Sequence, residues 1–553
     1  MTEAVSKFEV ASKFNLCVLN TQLGKTFTAI AKIISEIKQD GELGRSIHMI
    51  FTMNTLLNNK QFAKRLNSIE NEYGKGSVCV FASKYKGGYT HVKNLLELQG
   101  ICIDNSTCPR VVVMCSNNRR YEDGVKFLKV ISENQGHIER AFTYYDELHQ
   151  YINDTLRSQI EQTHSLEIIK GITALTATPD KIWLKDDKFW SKIKLFHLDD
   201  LCDSNYVGYK DMIFKCVDDF FDNPYIRPHP FDFDLMDTQT IGFIKYVLSD
   251  YPEILNDNTR SFIPAHFRRD GHNRVRDLIF DTNPSAVVVV INGCEKSIQY
   301  INCHGNKEVL ELISQDEEVC ETISRLVLNN NLQNRPLVIT GYLCLGMGQT
   351  LSHMNLGSFT SAILSHLNLT NDEIYQLFGR ITGRMKDWGK KYVQTNVYCP
   401  TTIKNRCIVM EECARNMANE WNGEAVTQHD YREPMSKMGE LGKSAIENIR
   451  KQKKRKVIKQ HNEDTDKSHK LFNTQEEAIG YAFSELGIKF KKRKNHLAPH
   501  ELLINGRNPS NIDLFKRMWG ISEDNPARMV AITHKTKKWC VYWRPSLVVK
   551  NRR

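Results

Sequence analysis

The sequence contains no apolar run of 18 residues, the length a membrane-spanning helix needs. Its longest apolar stretches, such as residues 286–291, have the length of a strand. The first residues, MTEAVSKFEV, lack the apolar core of a secretory signal peptide. Fifteen cysteines are scattered without a single CxxC pair. That excludes zinc-ribbon and iron–sulfur spacing and suits reduced thiols buried as small core residues. The expected setting is intracellular and reducing. With 41% apolar and 25% charged residues, the composition argues against wholesale disorder and against a disulfide-rich miniprotein. At 553 residues the chain exceeds one hydrophobic core, so two to four domains are expected.

Charge is unevenly placed. Residues 441–553 hold 26 Lys+Arg and 11 Asp+Glu, a net of +15, whereas the first 440 carry a net of −5. The basic excess of the whole chain thus sits in its last fifth, and a polyanionic partner is the natural inference. Its clusters are residues 451–459 (KQKKRKVIK) and 489–494 (KFKKRK). A nuclear localisation signal would look the same. Trp539, Tyr542 and Trp543, beside Lys535, Lys537, Lys538 and Arg544, suit base stacking or the core of a small module. His496, His500 and Glu501 do not make a metal site, because Pro499 breaks the helix their spacing would need.

Short apolar runs at 14–20, 46–54, 77–83, 110–116, 141–146 and 172–178 read as strands buried on both faces. Helical patterns at 26–38, 56–66, 121–133 and 156–169 lie between them, the rhythm of a parallel α/β sheet. The stretch 201–259 is acidic, aromatic and proline-containing and reads as a connection with some structure of its own. A second series follows, with strands at 261–268, 285–291, 298–303, 337–340, 358–364 and 392–399. Its helices are expected at 271–281, 308–328 and 372–384, and a further helix at 403–421. The expected organisation is an α/β domain over 1–205, a connecting segment over 206–258 and a second α/β domain over 259–400. A helical and basic linker over 401–470 and a basic accessory module over 471–553 complete it.

Four motifs carry chemistry. The first strand runs into Thr21-Gln22-Leu23-Gly24-Lys25-Thr26 and then a helix. This is the context of a phosphate loop: glycine admits the phosphates, the helix N-terminal N–H groups face them, and Lys25 reaches the β- and γ-phosphates. The Thr26 hydroxyl can ligate magnesium. The usual small residue five before Gly24 is Leu19 here. A later strand ends in Asp146-Glu147-Leu148-His149, where Asp146 can hold the magnesium shell and Glu147 can polarise water. An acidic pair capping the next helix would look alike. Thr176-Ala177-Thr178-Pro179 ends another strand, with hydroxyls placed to couple a nucleotide site to a nucleic acid, or to cap a turn. The fourth, from Gln376 through Gly379 and Arg380 to Gly383 and Arg384 (QLFGRITGR), puts two arginines four apart on an expected helical face. Across a cleft, they can neutralise charge on a γ-phosphate.

In this order and spacing the four motifs resemble those of superfamily 2 helicases and translocases: GKT as motif I, DELH as motif II, TAT as motif III and QLFGRITGR as motif VI. FTMNTL from Phe51, FIPAH from Phe262 and TGYLCLGMGQT from Thr340 look like motifs Ia, IV and V. The set looks most like the helicase-like proteins of large DNA viruses, and it covers roughly residues 14–400. DELH tilts towards the DExH type rather than DEAD-box RNA helicases. Arg384 lies eight residues after Gln376, one more than usual, so Arg380 is the first choice of arginine finger and Arg384 the second.

The resemblance implies an α/β fold of two tandem RecA-like parallel-sheet domains with ATP and Mg2+ in their cleft, plus the small basic C-terminal module. Gln22, Gly24, Lys25 and Thr26 would bind the nucleotide, and Thr26 and Asp146 the metal. Glu147, Asp146, Arg380, Arg384 and Gln376 would be catalytic. Thr52, Asn54, His266, Thr340 and Gly346 would contact a nucleic-acid backbone, and His149, Thr176 and Thr178 would couple the two sites. The expected activity is an ATP-dependent helicase or translocase on nucleic acid, DNA ahead of RNA. An RNA helicase or a non-catalytic ATP-gated clamp are the alternatives. No nuclease cluster of a restriction system is visible, and no membrane partner is implied. A viral origin would place the protein in host cytoplasm, nucleus or virion.

Overall fold

The computed structural model describes residues 13–41, 45–52, 62–85, 87–102, 108–133, 138–179, 182, 194–196, 205–222, 233–266, 268–293, 295–312, 317–342, 350–420, 428–439, 441–443, 445, 468–474, 477, 481, 503–505, 530–535 and 538–543. The chain divides into two compact units, Met1–Ile449 and Arg450–Arg553.

The larger unit holds two sheets, each the centre of one lobe. The first lobe contains β1 (Phe14–Val18), β2 (Ser46–Thr52), β3 (Val78–Phe81), β4 (Thr90–Val92), β5 (Val111–Cys115), β6 (Arg140–Asp146), β7 (Ile169–Thr176) and β8 (Lys194–Phe196). These pair in the order β4-β3-β5-β2-β6-β7-β1-β8, and every pairing is parallel. The strands are short and apolar because helices cover both faces. VVVMC in β5 and SIHMIFT in β2 are buried at every position. The helix Lys25–Asp40 turns Ala29, Ile30, Ile33 and Ile37 inward at helical spacing, against Val80, Val111 and Val113 of the sheet.

A two-stranded ribbon joins β9 (Tyr206–Val207) to a later segment. The second sheet contains β10 (Ile213–Cys216), β11 (Arg260–Phe262), β12 (Val287–Ile291), β13 (Lys296–Ile301), β14 (Lys307–Glu311), β15 (Leu337–Gly341) and β16 (Ser361–Ile363). The ribbon partner β17 (Gly383–Arg384) and the last sheet strand β18 (Asn396–Cys399) complete the lobe. The sheet order is β10-β18-β16-β11-β15-β12-β13-β14, parallel throughout except for the β12–β13–β14 meander. Both lobes are α/β layers built on a largely parallel sheet, one after the other along the chain.

Two local readings change, and the connecting segment shows its own structure. The expected helix over 308–328 is two elements: KEVLE alternates and pairs with β13 as an edge strand, and a helix begins only at Val319. Glu318 and Glu321 form the capping box that starts it. The expected helix over 372–384 stops at Phe378 and is followed by a 3-10 turn and β17. Gly383, at φ 137°, cannot continue a helix. Residues 206–258 contain β9, β10 and a helix, Phe233–Asp250, which buries Phe243, Ile244, Val247 and Leu248 with the second sheet.

The smaller unit contains β19 (Ser468–Phe472), β20 (Leu503–Asn505), β21 (Val530–Lys535) and β22 (Lys538–Trp543), in the order β19-β22-β21-β20. The expected base-stacking candidates Trp539, Tyr542 and Trp543 lie on β22. Both lysine clusters lie outside the described residues, as do Lys537, Arg544, His496 and His500. No helix among the described residues is long and apolar enough to cross a membrane.

Candidate functional site

Strand β1 delivers the chain to a tight turn at the lobe interface. Leu19 continues the ladder by donating its N–H to Thr176 O at 3.1 Å, and its side chain is buried. The large residue at the usual small position is therefore absorbed by the core and does not fill the loop. Leu23 N–H then donates to Asn20 O at 3.3 Å, Gln22 has φ 58°, and Gly24 has φ 102°. Gly24 is the N-cap of the helix Lys25–Asp40, and no side chain caps that end. First-turn N–H groups without a cap, at the positive end of a helix dipole, suit phosphate oxygens.

Lys25 is buried, with its Nζ 3.4 Å from Asn20 O and 3.5 Å from Glu147 Oε1. Asp146 ends β6, and Glu147 follows in the left-handed region at φ 51°. That conformation costs a non-glycine residue energy, and it turns the two carboxylates towards the loop. Burial pushes the Asp146 carboxyl well above the usual range, and the neighbouring Glu147 adds to the rise; Lys25 and Arg65 oppose it. A buried carboxylate held in this way is short of positive charge.

The DELH segment reaches β7 through His149. Its Nδ1 lies 2.8 Å from Thr176 Oγ1 and 3.4 Å from Glu147 Oε2, while Nε2 lies 2.6 Å from the Gln150 amide nitrogen. With Gln150 donating to Nε2, Nδ1 carries the proton and donates. Thr176 Oγ1 also accepts from Thr178 N–H at 3.0 Å. Glu147, His149, Thr176 and Thr178 thus form one buried hydrogen-bonded run between two strand ends.

The second lobe closes the site. The helix Asn371–Phe378 starts with a capping box between Thr370 and Glu373 and brings Gln376 to the interface. Gln376 Nε2 lies 3.5 Å from Glu147 Oε2. Arg380, on the 3-10 turn, is buried, and its guanidinium bonds to Gln376 O at 3.2 Å and to Gln376 Oε1 at 3.5 Å. Burial lowers Arg380 to about 10, opposed by the negative charge of Glu147. Arg384 belongs to β17, so the two arginines do not share a helical face, although both line the cleft.

That cleft has a volume of about 590 Å³ and is bordered by the loop Thr21–Thr26, Asp146, Glu147, Gln376, Arg380 and Arg384. The size suits a nucleotide. Thr26 and Asp146 both border it and could hold a divalent cation. Among the described residues no group of three His, Cys, Asp or Glu could hold a metal. Two protein ligands fit Mg2+, which takes most of its ligands from water and phosphate.

Three of the five expected nucleic-acid contacts are among the described residues. Thr52, His266 and Thr340 lie at or just beyond the C-terminal ends of β2, β11 and β15, and all three side chains are buried. Asn54 and Gly346 lie outside the described residues. Several residues that sequence reasoning passed over belong to the site. Thr382 meets Thr21, Oγ1 to Oγ1, at 3.1 Å, and Tyr206 OH donates to Thr21 O at 2.9 Å. Arg65 and Trp388 also line the cleft. Thr382 sits inside QLFGRITGR and could have been found there; the others carry no local signal.

No protein-family model matches the chain, and no curated protein is similar to it. Among solved structures, it is similar to the ATP-dependent Type ISP restriction-modification enzyme LlaBIII bound to DNA, at 14% identity and a TM-score of 0.45, over 79% of this chain and 30% of that one. The chain therefore spans less than a third of that enzyme's length. It is also similar to a variant of S. cerevisiae Dbp5 bound to RNA and ADP–BeF3, at 10% identity and a TM-score of 0.38, over 80% of this chain and 92% of that one. A third is the DUF1998 helicase MrfA bound to DNA and AMPPNP, at 12% identity and a TM-score of 0.35, over 77% and 51% of the two chains.

Proposed function

We propose that the chain is an ATP-dependent superfamily 2 nucleic-acid helicase or translocase of the DExH type, acting on DNA. The observation that carries the reading is the reach of Gln376 and Arg380, from the second lobe, to Glu147, which is itself paired with Lys25 of the phosphate loop. A nucleotide in this cleft touches both lobes, so its hydrolysis changes how they hold each other.

Phosphate oxygens compete with Glu147 for Lys25. Once Lys25 turns to the phosphates, Glu147 is free to accept a proton from water attacking the γ-phosphorus in line, while the bridging oxygen to the β-phosphate leaves. Arg380 stabilises the charge that develops. Mg2+, when held by Thr26 and Asp146, supplies further neutralisation of the phosphates. His149 links the state of Glu147 to Thr176 and Thr178. The basic tail gives the chain a second, salt-sensitive hold on a phosphate backbone.

The test is ATP hydrolysis by the purified protein with single-stranded, duplex or branched DNA, or RNA, and Lys25→Ala as control. Stimulation by DNA, lost in Lys25→Ala, is the expected result. Stimulation by RNA alone would move the substrate class. Nucleic-acid binding without hydrolysis would replace the motor with an ATP-gated clamp.

A further inference from the structure

Between the first sheet and the second, residues 206–209 (YVGY) form a short segment fastened to the second lobe. Tyr206 is the register partner of Arg384 in the ribbon of β9 and β17. Just before it, Asn205 O accepts from Met385 N–H and Lys386 N–H, both at 3.1 Å. Tyr209 OH donates at 2.8 Å to the carbonyl of Tyr375, the residue before Gln376. Glu411, on the helix Thr401–Glu420, joins the two tyrosines: Oε2 accepts from Tyr209 N–H at 2.9 Å, and Oε1 lies 3.5 Å from Tyr206 OH. Gly208 makes room for that carboxylate, since a Cβ there would lie 2.6 Å from Glu411 Oε1.

From this anchored segment the Tyr206 hydroxyl reaches the first lobe and donates to Thr21 O at 2.9 Å. A hydroxyl has one proton to give, and Thr21 O is the nearer of its two acceptors. The Thr382 hydroxyl donates to the same carbonyl at 3.3 Å. That carbonyl shares a peptide plane with the N–H of Gln22, so the two hydroxyls orient the plane that leads into Gln22. Gln22 holds φ 58°, a left-handed conformation that costs a non-glycine residue energy and persists where the surroundings enforce it. The hydroxyls that steady its peptide come from the segment between the sheets and from QLFGRITGR, not from the loop itself.

We propose that Tyr206 is a positioning residue for ATP hydrolysis: its hydroxyl, carried by a segment fastened to the second lobe, holds the Thr21 carbonyl and so sets the loop Thr21–Thr26 when the lobes are closed. The inference rests on the nucleotide reading of the cleft. It adds a route by which closure reaches the loop through the protein rather than through the ligand. Tyr206 acts through Thr21 and Gln22, so loss of its hydroxyl disturbs the rate at saturation more than the binding of ATP.

The experiment measures kcat and KM for ATP, with single-stranded DNA and with RNA, in the wild type, Tyr206→Phe, Thr382→Val, the double variant and Lys25→Ala. Thermal unfolding is followed alongside. Tyr206→Phe deletes one oxygen and keeps the ring. It is expected to lower kcat by about 10- to 100-fold, the scale of a small misplacement transmitted to the reacting groups, with KM within about threefold. Because both hydroxyls hold one carbonyl, the loss in the double variant should depart from the product of the single losses by more than about twofold. Agreement with that product within about twofold overturns the proposal, since the hydroxyl would then act elsewhere than Thr21. A rise in KM with kcat unchanged overturns it too. If Lys25→Ala loses hydrolysis while Tyr206→Phe keeps the wild-type kcat, the positioning role is overturned and the nucleotide site stands. Should Tyr206→Phe fail to fold, because Glu411 Oε1 loses its hydroxyl, Glu411→Gln removes that buried charge and the same comparisons are made in its background. If the wild type hydrolyses no ATP with either nucleic acid, the nucleotide reading falls and the positioning role with it.

Discussion

Thr21, in the loop after β1, and Gly379 of the second lobe lie so close that a Cβ on Gly379 would come within 2.6 Å of both Cβ and Oγ1 of Thr21. The same threonine bonds to Thr382, and its carbonyl accepts from Tyr206 OH at 2.9 Å and from Thr382 Oγ1 at 3.3 Å. The lobes are therefore in closed contact along the loop Thr21–Thr26, and a glycine makes that approach sterically possible.

Gly379→Ala should hold the lobes apart. Overpacking at a tight contact costs about 1–3 kcal/mol, which corresponds to a roughly 5- to 150-fold loss in a step that needs closure. The expected phenotype is a fall in the maximal hydrolysis rate at saturating ATP and nucleic acid, with thermal stability little changed. Thr21→Gly removes the atoms that the new methyl meets, so the double variant should regain much of the rate. Loss in the single variant without recovery in the double would place the effect somewhere other than this contact.

Arg380 and Arg384 should separate cleanly. Arg380 is buried and held by Gln376, whereas Arg384 is half-exposed on β17. Only the first is fixed near Glu147. Arg380→Lys, which keeps a charge but loses the planar fork, should lower single-turnover hydrolysis by about 10³-fold, as removal of an arginine finger does. Arg384→Lys keeps the charge at a half-exposed position and should cost about tenfold or less. Equal losses would mean that both arginines act on the γ-phosphate.

The sequence made the parallel sheets legible because their strands are apolar on both faces, as in VVVMC and VVVVI. It placed Thr21–Thr26 and DELH at strand ends, where the structure has them, because each follows such a strand directly. It misled at Arg380 and Arg384: helical spacing was inferred from an apolar pattern that two glycines interrupt, and Gly379 and Gly383 serve the lobe contact rather than a helix. It was silent on Tyr206 and Arg65, since each acts on a partner distant in sequence and no local pattern encodes such a meeting. KEVLE read as helix because five residues of alternation are too few to outweigh the helical pattern that follows them.

Glu411 gives the fold a pH dependence of its own. It is fully buried on the helix Thr401–Glu420, where Oε2 accepts from Tyr209 N–H at 2.9 Å and Oε1 lies 3.5 Å from Tyr206 OH. Burial raises its carboxyl to about 7; Arg415 and the Tyr209 N–H oppose this, while Glu412 and Asp211 add to it. A raised acid binds its proton more tightly when folded. Its contribution is therefore whole below the unfolded value near 4.5 and is lost as pH climbs to about 7. Glu411→Gln mimics the protonated acid and keeps an acceptor for Tyr209. Denaturant titration should find the variant about 3 kcal/mol more stable than the wild type at pH 8 and equal to it at pH 4.5. A difference independent of pH would show that Glu411 does not titrate in this range.

Two ion pairs cross between the lobes outside the catalytic contacts, and they predict a salt effect on closure. Lys64 Nζ lies 2.7 Å from Glu321 Oε2, and Arg65 Nε lies 2.9 Å from Glu318 Oε1. Both carboxylates are already ordered by the capping box at the start of the helix Val319–Asn329, so the pairs need little further fixing on that side. They are partly exposed, which limits each to about 1 kcal/mol and leaves it open to screening above roughly 0.15 M salt. That is too little to decide whether the lobes fold, and enough to shift an open–closed balance several-fold. Lys64 does not border the cleft, so Lys64→Glu tests closure without altering its lining. Interlobe distances in solution should lengthen in Lys64→Glu at low salt and return towards the wild type in Lys64→Glu with Glu321→Lys. High salt should lengthen the wild type and shorten Lys64→Glu, whose like charges it screens, so that the two converge. If the swapped pair fails to restore the distance, Lys64 and Glu321 do not act on each other in solution, and the closed contact rests on the remaining contacts between the lobes, Arg65–Glu318 and those around Thr21 among them.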